Sequence, residues 1–347
     1  MKIGIIKIVS AVLSMAQLSS CQELKEKSYR LAIEVKDPNG NPVTKAKAIT
    51  GKLIRANEGG GLLANSVTIE SDAANAEGKI QLEYKSIPEP DGTMSVFGDG
   101  YYSSYYSFIW ESPEGYEGTT RSAKVQATLR PIKNPIPMFA REKSGFEVKE
   151  FDEEYQFDFQ VGELLPPHGK GVHPDIRVTM KGTRIDNGPD EHEDIDFQAS
   201  IRFSNPLDGL IEFVVQPKDG AVGSFFISDY LAPESGYFQM LERKAVWGKA
   251  RNAPSYWEDF RSLEKKAYYF RVRTQTDAAG KIISANYGKI YGPLTLAPVL
   301  KNQAAFKKAL KASFAISELY FNPTPNDRNV EFDTKYNLIP DGNVQRP

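Results

Sequence analysis

The chain has 347 residues, 43 Lys and Arg against 45 Asp and Glu, a formal net charge of -2, and 40% hydrophobic residues. That length exceeds one comfortable core and suits two or three domains, and the near-neutral balance excludes a global field for nucleic acid. One cysteine, Cys21, excludes an internal disulfide and any multi-cysteine metal or redox centre. The histidines are His168, His173 and His192, so a zinc site would need nearly all of them with carboxylates added.

Lys2 and Lys7 form a short basic start, and residues 3–18 are mostly apolar with Lys7 as an interruption. Ser19, Ser20 and Cys21 follow, giving the layout of a secretory signal: basic start, apolar middle, small-residue cleavage site. Leu18-Ser19-Ser20-Cys21 resembles the lipobox of bacterial lipoproteins. The resemblance implies removal of residues 1–20, lipidation of Cys21 and attachment to a lipid bilayer through that residue. Gln22 is not the aspartate that this family's sorting rule links to inner-membrane retention. The implied location is therefore the outer membrane, facing the periplasm or the surface. Residues 21–27 then read as a polar tether.

From Ser28 to about Pro131 the chain reads as short strands between turns. LAIEV alternates with the period of a half-buried strand. Asp37-Pro38-Asn39-Gly40 is a turn in which proline presets φ and Asn-Gly supplies the permissive backbone. Further strands are expected near 45–54, at 79–84 after an Asp/Asn/Gly turn region, across the aromatic run 93–110, and at 122–132. The pattern predicts a β-sandwich. Asp37, Gly40, Pro42 and Val43, with Asp72, Gly78 and Ile80 more loosely, resemble the carboxypeptidase regulatory-like, or transthyretin-like, sandwich over residues 28–131. Lys45-Ala46 stands where that family prefers Gly-Ala. The resemblance implies an accessory or adhesive module without catalytic residues. Tyr101, Tyr102, Tyr105, Tyr106 and Trp110 have two readings: an exposed aromatic face for a glycan or protein ligand, or core filling.

Pro131, Pro135 and Pro137 make residues 132–144 a stiff, extended connector. Residues 145–347 read as a larger, mostly-β domain, an elaborated sandwich or jelly roll. Residues 267–296 form the clearest hairpin, with Asp277 to Gly280 at its turn, and 314–324 a further strand. Only 304–314 has helical spacing, and 229–262 holds an irregular, turn-rich stretch. Arg271 and Arg273 are expected on one strand face, meeting the acidic loop 190–196. The fold expected overall is all-β. Asn134 to Met138, Pro167 to Gly171 and Tyr320 to Asp333 resemble segments of uncharacterised secreted proteins of Gram-negative bacteria, which implies no activity.

The metal candidates are His168, His173 and Asp175 in PPHGKGVHPD, with His192, Asp190 and Asp194 from the acidic stretch 186–196. Imidazoles with a carboxylate suit zinc and clustered carboxylates suit calcium, whereas solvated polar loops account for the same residues without a cofactor. There is no phosphate loop, no G-x-S-x-G and no isolated carboxylate pair, so no catalytic residue is assigned. The sequence thus points to a lipid-anchored envelope protein with a binding or structural role, its partner a glycan or envelope protein and not a nucleic acid. The alternatives are an envelope hydrolase acting on polysaccharide or peptide, and a calcium-stabilised adhesion module.

Overall fold

A computed structural model describes residues 26–55, 64–86, 90–112, 118–148, 151–185, 194–214, 223–247, 266–298, 312–340, 342, 344 and 346–347. The protein is all-β.

The first body holds β1 (Lys27–Lys36), β2 (Lys47–Arg55), β3 (Ala64–Glu70), β4 (Lys79–Ser86), β5 (Thr93–Phe97), β6 (Tyr101–Tyr102), β7 (Ser104–Ser107), β8 (Thr120–Thr128) and β9 (Arg130–Pro131). β1 is central in a three-stranded sheet, antiparallel to β4 and parallel to β8. β7, β5, β2 and β3 make the second sheet. Alternation decides what is buried. β1 turns Tyr29, Leu31, Ile33 and Val35 inward, and β4 adds Ile80, Leu82 and Tyr84 while Lys79, Gln81, Glu83 and Lys85 face solvent. Tyr29 stacks on Tyr84 at 5.7 Å, and Trp110 meets Tyr29 edge-on at 5.0 Å.

One turn chemistry recurs three times. Asp37, Asn75 and Asp277 each accept backbone N–H groups from the residues two and four positions on. The glycine three positions on, Gly40, Gly78 or Gly280, takes a positive φ and donates its N–H to the carbonyl of the same residue at 3.0 Å. The side chain supplies the bonds that a bare turn lacks, and only glycine enters that φ region without cost.

The second body contains β10 (Ile136–Val148), β11 (Glu154–Asp158), β12 (Glu163–Leu164), β13 (Ile176–Ile185), β14 (Asp194–Phe203), β15 (Gly209–Val214), β16 (Gly223–Ser224), β17 (Met240–Trp247), β18 (Lys266–Thr276), β19 (Ile282–Pro298), β20 (Ala312–Phe321) and β21 (Phe332–Asn337). A six-stranded sheet in the order β15-β18-β19-β20-β10-β21 faces a five-stranded sheet in the order β12-β11-β13-β14-β17. Phe157, Phe159, Phe270, Phe314 and Phe321 lie in the core between them. β10 occupies most of the stretch read from its prolines as a connector, pairing with β20 through Phe139 to Val148. Of the stretch with helical spacing, 304–311 lie outside the described residues, and Ala312 to Phe314 belong to strand β20.

β18 is buried on both faces. Tyr268, Phe270 and Val272 face the intersheet core, whereas Ala267 and Tyr269 belong to a second apolar cluster with Met138, Ala140, Ala232, Tyr291, Tyr320 and Val344. The outer face of the six-stranded sheet is therefore covered by chain from 225–238 and by Val344 and Pro347. β16, which enters from this body, pairs with β7 and adds an edge strand to the first sandwich.

Candidate functional site

The two β bodies meet around Phe226, which is fully buried. Tyr102 of β6 approaches its ring at 5.0 Å and Tyr230 at 4.9 Å. The Arg130 guanidinium lies 4.5 Å over the same ring and donates to the carbonyls of Phe226 at 3.0 Å and Ser228 at 2.6 Å. Lys133 sits 3.9 Å over Tyr230, whose hydroxyl donates to the Pro131 carbonyl at 2.6 Å. Cation–π contacts contribute about 0.5–1 kcal/mol at exposed sites such as Lys133 and more where the cation is desolvated.

Glu331 closes the seam from the far end of the chain. It is 1% exposed. Its carboxylate accepts from the Tyr102 hydroxyl at 2.8 Å, the Lys133 N–H at 2.8 Å and the Asn134 N–H at 2.7 Å. Burial, followed by this neighbouring carboxylate, drives the Tyr102 hydroxyl well above its ordinary pKa, so it stays a donor.

Behind Phe226, Lys289 is 0% exposed. Its Nζ donates to the Tyr291 hydroxyl at 2.9 Å, the Pro347 carbonyl at 3.0 Å and Ser228 Oγ at 3.4 Å. The rings of Tyr291, Phe226 and Tyr320 surround it at 4.6 to 4.9 Å. Burial, reinforced by the charge of Arg130, depresses the Lys289 pKa far below the ordinary lysine range. Burial likewise raises Tyr291 and Tyr320. Burial thus disfavours the charged forms of the amine and of both hydroxyls in this enclosed pocket.

A second polar assembly holds the loop 159–175. Asp158 is fully buried and accepts the N–H groups of Gln160, Val161, Val172 and His173 at 2.8 to 3.0 Å. Arg273 reaches Asp158 at 3.0 Å, Asp175 at 2.9 Å and Gln160 Oε1 at 2.7 Å. Burial alone would raise the Asp158 pKa, but the backbone N–H groups of His173, Val172 and Val161, with Arg273, outweigh it and hold the carboxyl below its ordinary value. At Asp175 desolvation wins over Arg273, so its pKa is raised. Arg271 donates to the carbonyls of Leu207 and Glu234 and lies 4.5 Å over Tyr237.

These contacts place the residues singled out from sequence. Asp175 is committed to Arg273 and to the Phe159 N–H, so its oxygens are not free for a cation. The His168 ring lies tilted against Tyr155 at 5.3 Å, and the His173 backbone N–H is bound by Asp158. Asp194 opens β14 opposite Ile185, while Asp190, His192 and Cys21 lie outside the described residues. Among the described residues no group of three His, Cys, Asp or Glu side chains is arranged to hold a metal. Arg273, which takes a positive φ, turns to Asp158 and Asp175; residues 190–193 of the acidic loop expected to meet it lie outside the described residues.

The aromatic run does not form one exposed face. Tyr106 and Trp110 are buried in the first core, each with a polar atom bonded to a backbone carbonyl, Thr128 and Pro90 respectively. Tyr102 is spent on the seam, whereas Tyr101 and Tyr105 are half-buried. The physical reason is alternation: every second ring of a strand in a sandwich turns inward.

No known family profile matches the chain, and no curated protein matches it. Sequence reasoning missed Lys289, Phe226, Arg130 and Glu331. The one local signal was a lysine placed between Ile290 and Gly288 in an otherwise apolar and aromatic strand.

Proposed function

We propose that this chain is a lipid-anchored envelope protein with a binding or structural role, tethered to the outer membrane through acylated Cys21. The first sandwich is read as a carboxypeptidase regulatory-like module, in keeping with its two facing sheets and the Asp37 to Gly40 turn. The ligand class is a glycan or an envelope protein. The observation that carries the reading is the seam: Tyr102, Arg130 and Lys133 lock onto Phe226, Tyr230 and Glu331, making the two β bodies one stiff arm. Residues 21–27 would span at most about 25 Å. A stiff arm on a short tether suits presentation of a surface and not flexible reach.

An envelope hydrolase is the second reading. The grouping with suitable chemistry, Ser228 with Tyr291 and Lys289, is closed to solvent, and this favours binding over turnover.

Fractionation tests the proposal. The native chain is expected in the outer-membrane fraction and Cys21→Ser in the soluble periplasmic fraction. Recovery of both proteins in the soluble fraction would overturn the anchor.

A further inference from the structure

The outer face of the six-stranded sheet holds the last described residues as a folded protein holds a peptide. Gly342 is met by Asn337, whose side-chain amide donates to its carbonyl at 3.2 Å. Val344 is buried in the outer apolar cluster. The Arg346 guanidinium faces the Glu318 carboxylate at 3.6 Å, and the Arg346 carbonyl accepts from the Tyr320 hydroxyl at 3.2 Å. The Pro347 carbonyl lies 3.0 Å from Lys289 Nζ and 3.3 Å from the Tyr291 hydroxyl.

We infer that this face is a recognition socket for a peptide with an apolar residue, a basic residue two positions on and a proline next, occupied in cis by Val344, Arg346 and Pro347. Each position is read by different chemistry. An apolar hollow takes the first side chain, a carboxylate takes the basic one, and a lysine with two tyrosine hydroxyls takes the carbonyls. Capture of a chain segment by such a set is a known mode of peptide recognition. Lys289 adds specificity: without the Pro347 carbonyl its Nζ keeps only the Tyr291 hydroxyl and Ser228 Oγ as acceptors, so a buried donor loses one of its three partners. The Tyr320 hydroxyl also lies 2.7 Å from the Glu318 carboxylate and shares its one proton between that carboxylate and the Arg346 carbonyl, tying together the two groups that read Arg346. The inference rests on the second body alone and holds whether or not Cys21 is acylated.

The test removes the occupant and returns it in trans. The mature chain is ended after residue 340, and a fluorescein-labelled peptide of residues 341–347 is titrated while anisotropy is followed. Saturable binding is expected, weakened at least tenfold by Val344→Asp in the peptide or by omission of Pro347. A shortened chain that keeps its circular dichroism and thermal transition but binds no peptide would overturn the inference. So would equal binding of the altered peptides. Should the shortened chain not fold, hydrogen exchange in the full-length Val344→Asp protein decides: loss of protection at 342–347 with β19 and β20 intact supports the socket, and unchanged protection at 342–347 overturns it.

Discussion

The hydroxyl of Tyr102 in the first sandwich donates to Glu331, 229 residues later, at 2.8 Å. Glu331 gathers two backbone N–H groups of the proline-rich stretch on the same carboxylate. One buried side chain thus fixes the first body, the connection and the last strand region together.

Replacing Glu331 by alanine leaves three part-buried donors without their acceptor. A buried unsatisfied group costs about 1–3 kcal/mol and one that water reaches costs less, so a loss of about 1–3 kcal/mol is expected. The single calorimetric transition should separate into two as the bodies uncouple. Tyr102→Phe removes one donor and should cost about 1.5–3 kcal/mol with the transition still single.

Part of this architecture is legible in the sequence. The alternation of Tyr29, Leu31, Ile33 and Val35 and the three Asx-and-glycine turns are local, so they can be read one strand at a time. The seam is not, because its partners lie far apart in the chain and each looks ordinary alone. Lys289 is the sharpest case. It sits on the face opposite Ile290, which by alternation reads as the solvent side of the sheet. Chain from 225–232, with Val344 and Pro347, covers that face, and no local pattern announces a cover. The same limit explains Arg273, whose acidic partners Asp175 and Asp158 lie 98 and 115 positions away.

Lys289 gives the protein a pH signature. Its folded-state pKa is lowered, so between that value and the ordinary lysine value the unfolded chain binds the extra proton, and stability rises with pH across this window. Above about pH 10 the buried tyrosines act in the opposite direction. The pKa of Tyr84 is pushed up to about 12 by burial, and Tyr269 and Tyr291 are also raised, so their stability is present below the ordinary tyrosine pKa and lost as pH climbs through the raised ones. Urea midpoints measured from pH 7 to 10 should increase for the native chain and stay flatter for Lys289→Met. Parallel curves would contradict the assignment.

Asp158 anchors the 159–175 loop. Asp158→Ala strands four backbone N–H groups and leaves Arg273 short of one partner, and breaking a buried pair of this kind costs about 3–5 kcal/mol. Its folded pKa is lowered, so its contribution is present above the unfolded carboxyl pKa and lost as pH falls through the folded one. The native melting temperature should therefore drop below about pH 4. Asp158→Asn should start lower and show a shallower acid limb.

Two turn glycines separate backbone strain from crowding. Gly40 has φ +86° with open space where a Cβ would stand, and Gly78 has φ +72° with the Val35 carbonyl 2.4 Å from that position. Gly40→Ala should cost about 1–2 kcal/mol, the left-handed penalty alone. Gly78→Ala carries the same penalty plus a backbone clash, and should lower the first body's melting temperature by clearly more. Equal effects would contradict the turn geometry.

The anchored-arm account is tested most directly by the intact mass of the mature protein extracted from the producing cell's membranes. The account predicts a chain beginning at Cys21, heavier than the polypeptide of residues 21–347 by a diacylglyceryl group and any further acyl chain. A chain that still carries residues 1–20, with an unmodified thiol at Cys21, would contradict it.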